Sequence, residues 1–256
     1  DGITVESLSL NDLVELEPEL APLAESGAIR CSFRLPHEYQ LRNPDHLRAL
    51  IKGCQARGVE LITDTEVTRI ILKEDRAIGV VTDERELHAD NICIAAGPWS
   101  AQLLQQVGVT TGILPIRGQM IMFNTETPLI SHIINEGSRY LVPREDGRLL
   151  VGSCEEEVGF EKHTTPDMIQ ELADFAYEIL PQLKGHTIER RWAGLRPASF
   201  DAFPYVGNVS GFRNLFIASG HFRSGLHLSP ATAVVMADTI SGVSPSIDLS
   251  MFSTLR

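Results

Sequence analysis

Two kinds of apolar run meet near Ile113, and together they restrict the fold more than any other feature of this sequence. Upstream, Ile92-Cys93-Ile94-Ala95-Ala96-Gly97 is apolar throughout, the pattern of a strand inside a sheet covered on both faces. Downstream, residues 116–123, 132–134, 139–142 and 148–153 alternate more, and short polar turns such as Glu145-Asp146-Gly147 join them. Alternation with short connections predicts an antiparallel sheet. A chain carrying both patterns has the class α/β plus α+β.

Helix signals fill the rest. Asn11 reads as the cap of a short helix carrying Leu13, Val14 and Leu16, stopped by Pro18. Asn43 and Pro44 open a helix to about Arg57, with Leu47, Leu50, Ile51 and Cys54 as its apolar stripe and Gly58 as its stop. Strand candidates follow at 60–62, 66–72, 77–82 and 91–95, then a helix over 99–107. Thr165-Pro166 opens a second strong helix, with Met168, Leu172, Phe175 and Ile179 on one face and Pro181 closing it. Strands at 186–195 and 214–218 precede a last helix beginning near Ser229-Pro230 and running through Ile240.

Composition excludes several classes. A net charge of −12 over 256 residues argues against a nucleic-acid partner. The four cysteines form no C-x-x-C and no metal-ligand pairing, so they read as reduced thiols of a cytoplasmic protein. No apolar run approaches the roughly 18 residues of a membrane-spanning helix. The opening residues are acidic and lack the hydrophobic block of a signal peptide, and the missing initial Met suggests truncation or processing. H-E-x-x-H and G-x-S-x-G are absent, and the run Glu155-Glu156-Glu157 reads as a solvated strand end. With no obvious proton-transfer residue, the chemistry is expected to reside in a cofactor.

Two segments are anion-seeking. Trp192-Ala193-Gly194-Leu195-Arg196-Pro197 reads as a strand ending in a guanidinium beside a rigid ring, able to grip a carboxylate with two parallel hydrogen bonds. An ion pair with one of the chain's many carboxylates is the competing reading, and on spacing alone the commoner one. Gly220-His221-Phe222-Arg223-Ser224-Gly225 reads as a glycine-bounded turn at a helix N-terminus, where backbone comes close to a ligand. A plain strand-to-helix turn explains it equally well. Tyr140, in a strand, reads as a phenol for the same ligand or as a core aromatic.

At these residues the sequence resembles the glycine oxidase and D-amino-acid oxidase group of FAD-dependent oxidoreductases. The carrying segments occur in order. They are Gln40-x-x-Asn43-Pro44, Glu66-Val67, Ala95-Ala96-Gly97-Pro98-Trp99-Ser100 and Pro115-Ile116-Arg117-Gly118-Gln119, then Tyr140-Leu141-Val142-Pro143-Arg144, the 192–197 motif, Pro204-Tyr205-Val206-Gly207 and residues 220–230. The resemblance implies an FAD-binding α/β domain beside an antiparallel-sheet substrate domain. It divides the chain into 1–112, 113–210, and a returning 211–256. It assigns FAD, non-covalently held, to Val67, Ala96, Gly97, Trp99, Gly118, Gly220, His221, Phe222, Arg223, Ser224, Gly225 and Leu226. No cysteine lies between Arg196 and Arg223, where some relatives attach their flavin.

The implied activity is oxidation of a small amino acid or secondary amine (glycine, sarcosine or a D-amino acid) by hydride transfer to flavin N5. Arg196 then holds the substrate carboxylate and Tyr140 faces the substrate. Ser138 stands where glycine-oxidase-like members can carry a larger polar residue, which bears on substrate choice. The family's G-x-G-x-x-G pyrophosphate loop does not occur in this sequence, so the FAD-binding domain is expected to be incomplete. A 2-hydroxy acid as substrate, or a catalytically silent fragment, are the alternatives.

Overall fold

The computed structural model describes residues 2–256. In chain order it contains β1 (Glu6–Leu8), α1 (Leu10–Leu16), α2 (Ala21–Glu25), β2 (Ser32–Arg34) and α3 (Asn43–Gln55). Then come β3 (Val67–Lys73), β4 (Arg76–Thr82), β5 (Glu86–His88), β6 (Ile92–Ile94), α4 (Ser100–Gln105) and β7 (Ile113–Asn124). The remainder is β8 (Ile134–Glu136), β9 (Arg139–Pro143), β10 (Arg148–Gly152), α5 (Pro166–Ile179), β11 (Thr187–Ser199), β12 (Tyr205–Asn208), β13 (Leu215–Ser219) and α6 (Gly225–Ile240).

Two compact units result, each assembled from separate stretches of chain. The first holds Asp1–Glu60, Gly118–Glu155 and Lys162–Gly194; the second holds Leu61–Arg117, Glu156–Glu161 and Leu195–Arg256. The divisions after 112 and 210 that the resemblance implies are not the boundaries of these units, because the long strands β7 and β11 each give residues to both units.

The first unit is built on a five-stranded sheet of order β11-β7-β10-β9-β8, antiparallel along its β7, β10, β9 and β8 pairings. The α5 residues Leu172, Phe175, Ala176 and Ile179 share one core cluster with Ile121, Phe123, Leu141, Leu149 and Val151 from the sheet. Each fully buried large side chain there stabilises the fold by about 1.5–3 kcal/mol. A buried Gln119 on β7 fixes the start of α5: its Oε1 accepts from Thr165 N–H at 2.8 Å, and its Nε2 donates to Thr165 Oγ1 at 3.1 Å.

Helix α1 is capped two residues earlier than Asn11. Ser9 Oγ accepts from Asp12 N–H (3.2 Å) while Asp12 Oδ2 accepts from Ser9 N–H (2.9 Å), a reciprocal pair that satisfies two otherwise orphan donors. In α3 the capping position is Arg42, with Asn43 already helical, and no residue of the helix is buried. Its apolar stripe faces solvent, Leu47 being 58% exposed.

The second unit carries two three-stranded sheets, β12-β13-β6 and β3-β4-β5. Strands β6 and β13 run parallel, with Ile92 opposite Leu215 and Ile94 opposite Ile217. A buried Asn214 ties β13 to β4: its Oδ1 accepts from Ala77 N–H (2.9 Å) and its Nδ2 donates to Ala77 O (2.7 Å). The continuous apolar run of β6 is less covered than expected. Ile94 is buried but Cys93 is exposed and lines a cavity.

Residues 60–62 form no strand; Leu61 and Ile62 are exposed and paired with no neighbouring strand. Strand β5 arises instead, its turn closed by Thr82 Oγ1 accepting from Arg85 N–H at 3.0 Å. Helix α6 starts at Gly225, not near Ser229, and accommodates Pro230 in its interior. Proline cannot donate to the Leu226 carbonyl four residues back, and the Ser229 hydroxyl donates to it at 2.8 Å. Among the described residues no helix is long and apolar enough to cross a membrane.

Candidate functional site

Parallel β6 and β13 end side by side, and each runs into a turn made possible by glycine. After β6, Gly97 takes φ +54° and begins the short turn through Trp99 that leads into α4. After β13, Gly220 takes φ +83°, and residues 222–224 turn once before α6 begins at Gly225. Ser219 Oγ donates to Gly97 O at 2.8 Å, so the two turns are fastened together. The crevice outside the carboxyl ends of parallel strands is where open α/β sheets bind ligands. A Cβ added at Gly97 would meet no atom within 4 Å, so the space beside this backbone is open.

Beside this edge lies a cavity of about 880 Å³. Its lining includes Val67, Ala96 and Trp99, three residues expected at the cofactor, with Cys93, Gln102 and Gln106. Trp99 is 44% exposed, and its ring stands 5.7 Å from that of Phe160. Gln106 Nε2 donates to Thr68 O at 3.0 Å, fixing α4 against β3 along the cavity wall. Although Cys93 is an exposed residue, the protein around its sulfur keeps part of the water away and pushes the thiol pKa upward, which argues against a reactive thiolate there.

The turn at 220–225 is strained and anchored. Phe222 takes φ +48°, a left-handed conformation costly for a residue with a side chain. His221 Nε2 lies 3.0 Å from Thr232 Oγ1 on α6. Burial lowers the His221 pKa below the ordinary 6.5, so the imidazole is neutral at pH 7. The folded state therefore binds fewer protons here than the unfolded one. His221 contributes stability above about pH 6.5 that is lost as pH falls toward its folded-state value. Replacing His221 by Gln should flatten this part of the pH dependence. Urea midpoints measured at about pH 7.5 and about pH 5.5 should then differ less than in the native sequence.

Arg196 lies inside β11, which continues to Ser199, and not at a strand end; it is half-buried. Arg223, Ser224 and Leu226 are exposed around the start of α6. None of the residues 220–226 lines the cavity, although the Ser219 bond brings their turn to Gly97. Gly118 is buried within β7, also apart from the cavity lining. In the first unit Tyr140 is half-buried on β9, and its hydroxyl donates to Met120 Sδ at 3.8 Å.

Glu156 departs from the expected solvated strand end. It receives two hydrogen bonds from the buried Arg117 guanidinium, at 3.0 and 3.1 Å, and the two residues also pair through their backbones. The cysteines are all free thiols, three of them exposed. No group of three or more His, Cys, Asp or Glu able to hold a metal occurs among the described residues.

The family model for FAD dependent oxidoreductases, described as DAO, matches residues 1–239. This chain belongs to that family. It is 38% identical over 209 residues to a glycine oxidase of Pseudomonas aeruginosa, covering 81% of this chain and 57% of that protein. It is 30% identical over 257 residues to a glycine oxidase of Geobacillus kaustophilus, covering 100% of this chain and 67% of that one. The crystal structure of a glycine oxidase from Geobacillus kaustophilus superposes with a TM-score of 0.91 at 29% identity, covering 100% of this chain and 68% of that one. The chain thus spans little more than half the length of the Pseudomonas relative.

The residues present fit part of an FAD site. A cavity lined by Val67, Ile94, Ala96 and Leu103 with the exposed aromatic Trp99 suits a flat ring system. The G-x-G-x-x-G anchor for its pyrophosphate is not among these residues. The lining glutamines Gln102 and Gln106 escaped the sequence reading. Their only signal is a helix face turned toward β3, visible once that pairing is known.

Proposed function

We propose that this chain is the substrate-binding part, and part of the cofactor site, of an FAD-dependent oxidase of glycine or another small amine. The carrying observation is the cavity of about 880 Å³ that gathers Val67, Ala96 and Trp99 at the edge where the two glycine turns meet. Likeness to glycine oxidases supports the substrate class. FAD, when bound, supplies the two-electron acceptor for oxidation of the amine carbon.

The remaining work falls to protein groups. Arg196 holds the substrate carboxylate with its planar fork, which orients the amine carbon by fixing the far end of a small molecule. Tyr140 presents its phenol to the substrate. The α6 N-terminus, with partial positive charge, and Arg223 favour negative charge on the cofactor's electron-rich edge. Val67, Ala96, Gly97, Trp99, Gly118 and the 220–226 turn are assigned to FAD, held without a covalent link.

Turnover assays on glycine, sarcosine, D-alanine and 2-hydroxyglutarate test the reading. We expect the FAD-loaded protein to oxidise glycine or sarcosine fastest. Turnover confined to the 2-hydroxy acid would replace the amine substrate with a hydroxy acid on the same fold. Flavin that co-purifies without oxidising any of the four would overturn the proposal.

A further inference from the structure

The register of the antiparallel sheet places three residues in one row across three strands. Tyr140 on β9 stands opposite Gly152 on β10, and Gly152 stands opposite Met120 on β7. The Tyr140 side chain crosses the middle strand. A Cβ added at Gly152 would lie 2.8 Å from Tyr140 Cζ and from its hydroxyl oxygen, and 2.9 Å from Cε2, closer than real atoms approach. The phenol therefore lies across the Gly152 Cα, and its hydroxyl reaches the Met120 sulfur at 3.8 Å. The backbone of Gly152 is not in the left-handed region, so it would accept a side chain. The ring is what requires glycine there.

We propose that Gly152 and Met120 are positioning residues that hold the Tyr140 phenol for the substrate. The proposal rests on the reading of Tyr140 as a substrate-facing residue. Gly152 supplies the gap in which the ring lies, and Met120 supplies its stop. A thioether is a weak acceptor, whereas a hydrogen bond to an ionised carboxylate is roughly twice as strong as a neutral one. The hydroxyl is thus held in place without a partner that competes with an anionic ligand. Such preorganisation saves the ordering cost that binding would otherwise incur.

The test uses the FAD-loaded protein labelled with 3-fluorotyrosine. The Tyr140 fluorine resonance is assigned by its loss in Tyr140→Phe, and affinity for glycolate is read from the flavin absorption change. Gly152→Ala should shift the resonance and weaken glycolate about tenfold or more, the size of a lost charge-assisted hydrogen bond. Met120→Leu keeps the volume and removes the acceptor. It should shift the resonance while changing affinity less than Gly152→Ala does, and it serves if Gly152→Ala does not fold.

A Tyr140 resonance unmoved in the folded variants would overturn the positioning role. A shifted resonance with glycolate affinity unchanged would overturn the link to the ligand. Where Tyr140→Phe also leaves glycolate binding intact, the failure lies in the assignment of Tyr140 to the substrate. Where Tyr140→Phe weakens binding but Gly152→Ala does not, the failure lies in the positioning.

Discussion

Arg196→Ala in the FAD-loaded protein is expected to raise KM for its amino-acid substrate by about a hundredfold or more. Truncating one partner of a buried, hydrogen-bonded charge pair costs about 2–5 kcal/mol, and about 1.4 kcal/mol is tenfold. Arg196 is half-buried on β11 beside Pro197, and a two-bond grip on a carboxylate is lost entirely in alanine. Arg196→Lys keeps the charge but not the planar fork, and should fall between the two with a rise of about tenfold. The flavin-to-protein ratio should stay unchanged in both, because Arg196 is assigned to the substrate and not to the cofactor. Steady-state kinetics with flavin content measured on the same samples decides the matter. A KM within twofold of the native value would mean that Arg196 serves an ion pair.

How far the sequence could be read depended on whether a residue's partner was local. Helix α5 was legible because Leu172, Phe175 and Ile179 recur at helical spacing and are all buried in the structure. The antiparallel sheet was legible because alternation is a property of each strand alone. Strand β6 was legible as a strand, but its coverage was not, since that depends on what lies beside it. Capping was misplaced in α1 because Asn11 and Ser9 are both good caps, and the deciding bond to Asp12 is a matter of geometry. The start of α6 was hidden by Pro230, whose usual place in the first turn moved the expected beginning by four residues.

The site divides the same way. Val67, Ala96 and Trp99 came from family resemblance, and the cavity then gathered them. The bond from Ser219 to Gly97 joins residues 122 positions apart, and no local pattern contains it. The row of Tyr140, Gly152 and Met120 exists only through strand register. A glycine that looks like an ordinary strand residue in the sequence becomes, in that row, the bed of an aromatic ring.

Glu17→Ala should produce the largest loss of stability among single polar substitutions in the first unit, about 3 kcal/mol. Glu17 is 4% exposed, yet its carboxylate is thoroughly partnered. It accepts from Ser131 N–H at 2.9 and 3.1 Å, from Ser131 Oγ at 2.7 Å and from His132 N–H at 2.7 Å, and His132 Nδ1 lies 2.6 Å away. These bonds fasten the segment after α1 to the segment before β8. Alanine removes the common acceptor, and both backbone donors then need water in a place shaped for a carboxylate. Glu17→Gln preserves the shape but turns an amide donor toward other donors, so it should cost about half as much. The comparison variant is Arg42→Ala, which breaks an exposed pair with Asp146 at 3.1 Å and should change stability by less than about 1 kcal/mol. Urea midpoints of the three variants supply the measurement. If Glu17→Ala falls no lower than Arg42→Ala, the buried carboxylate is compensated by water and fastens nothing; if it falls well below, the cluster is a true staple of this unit.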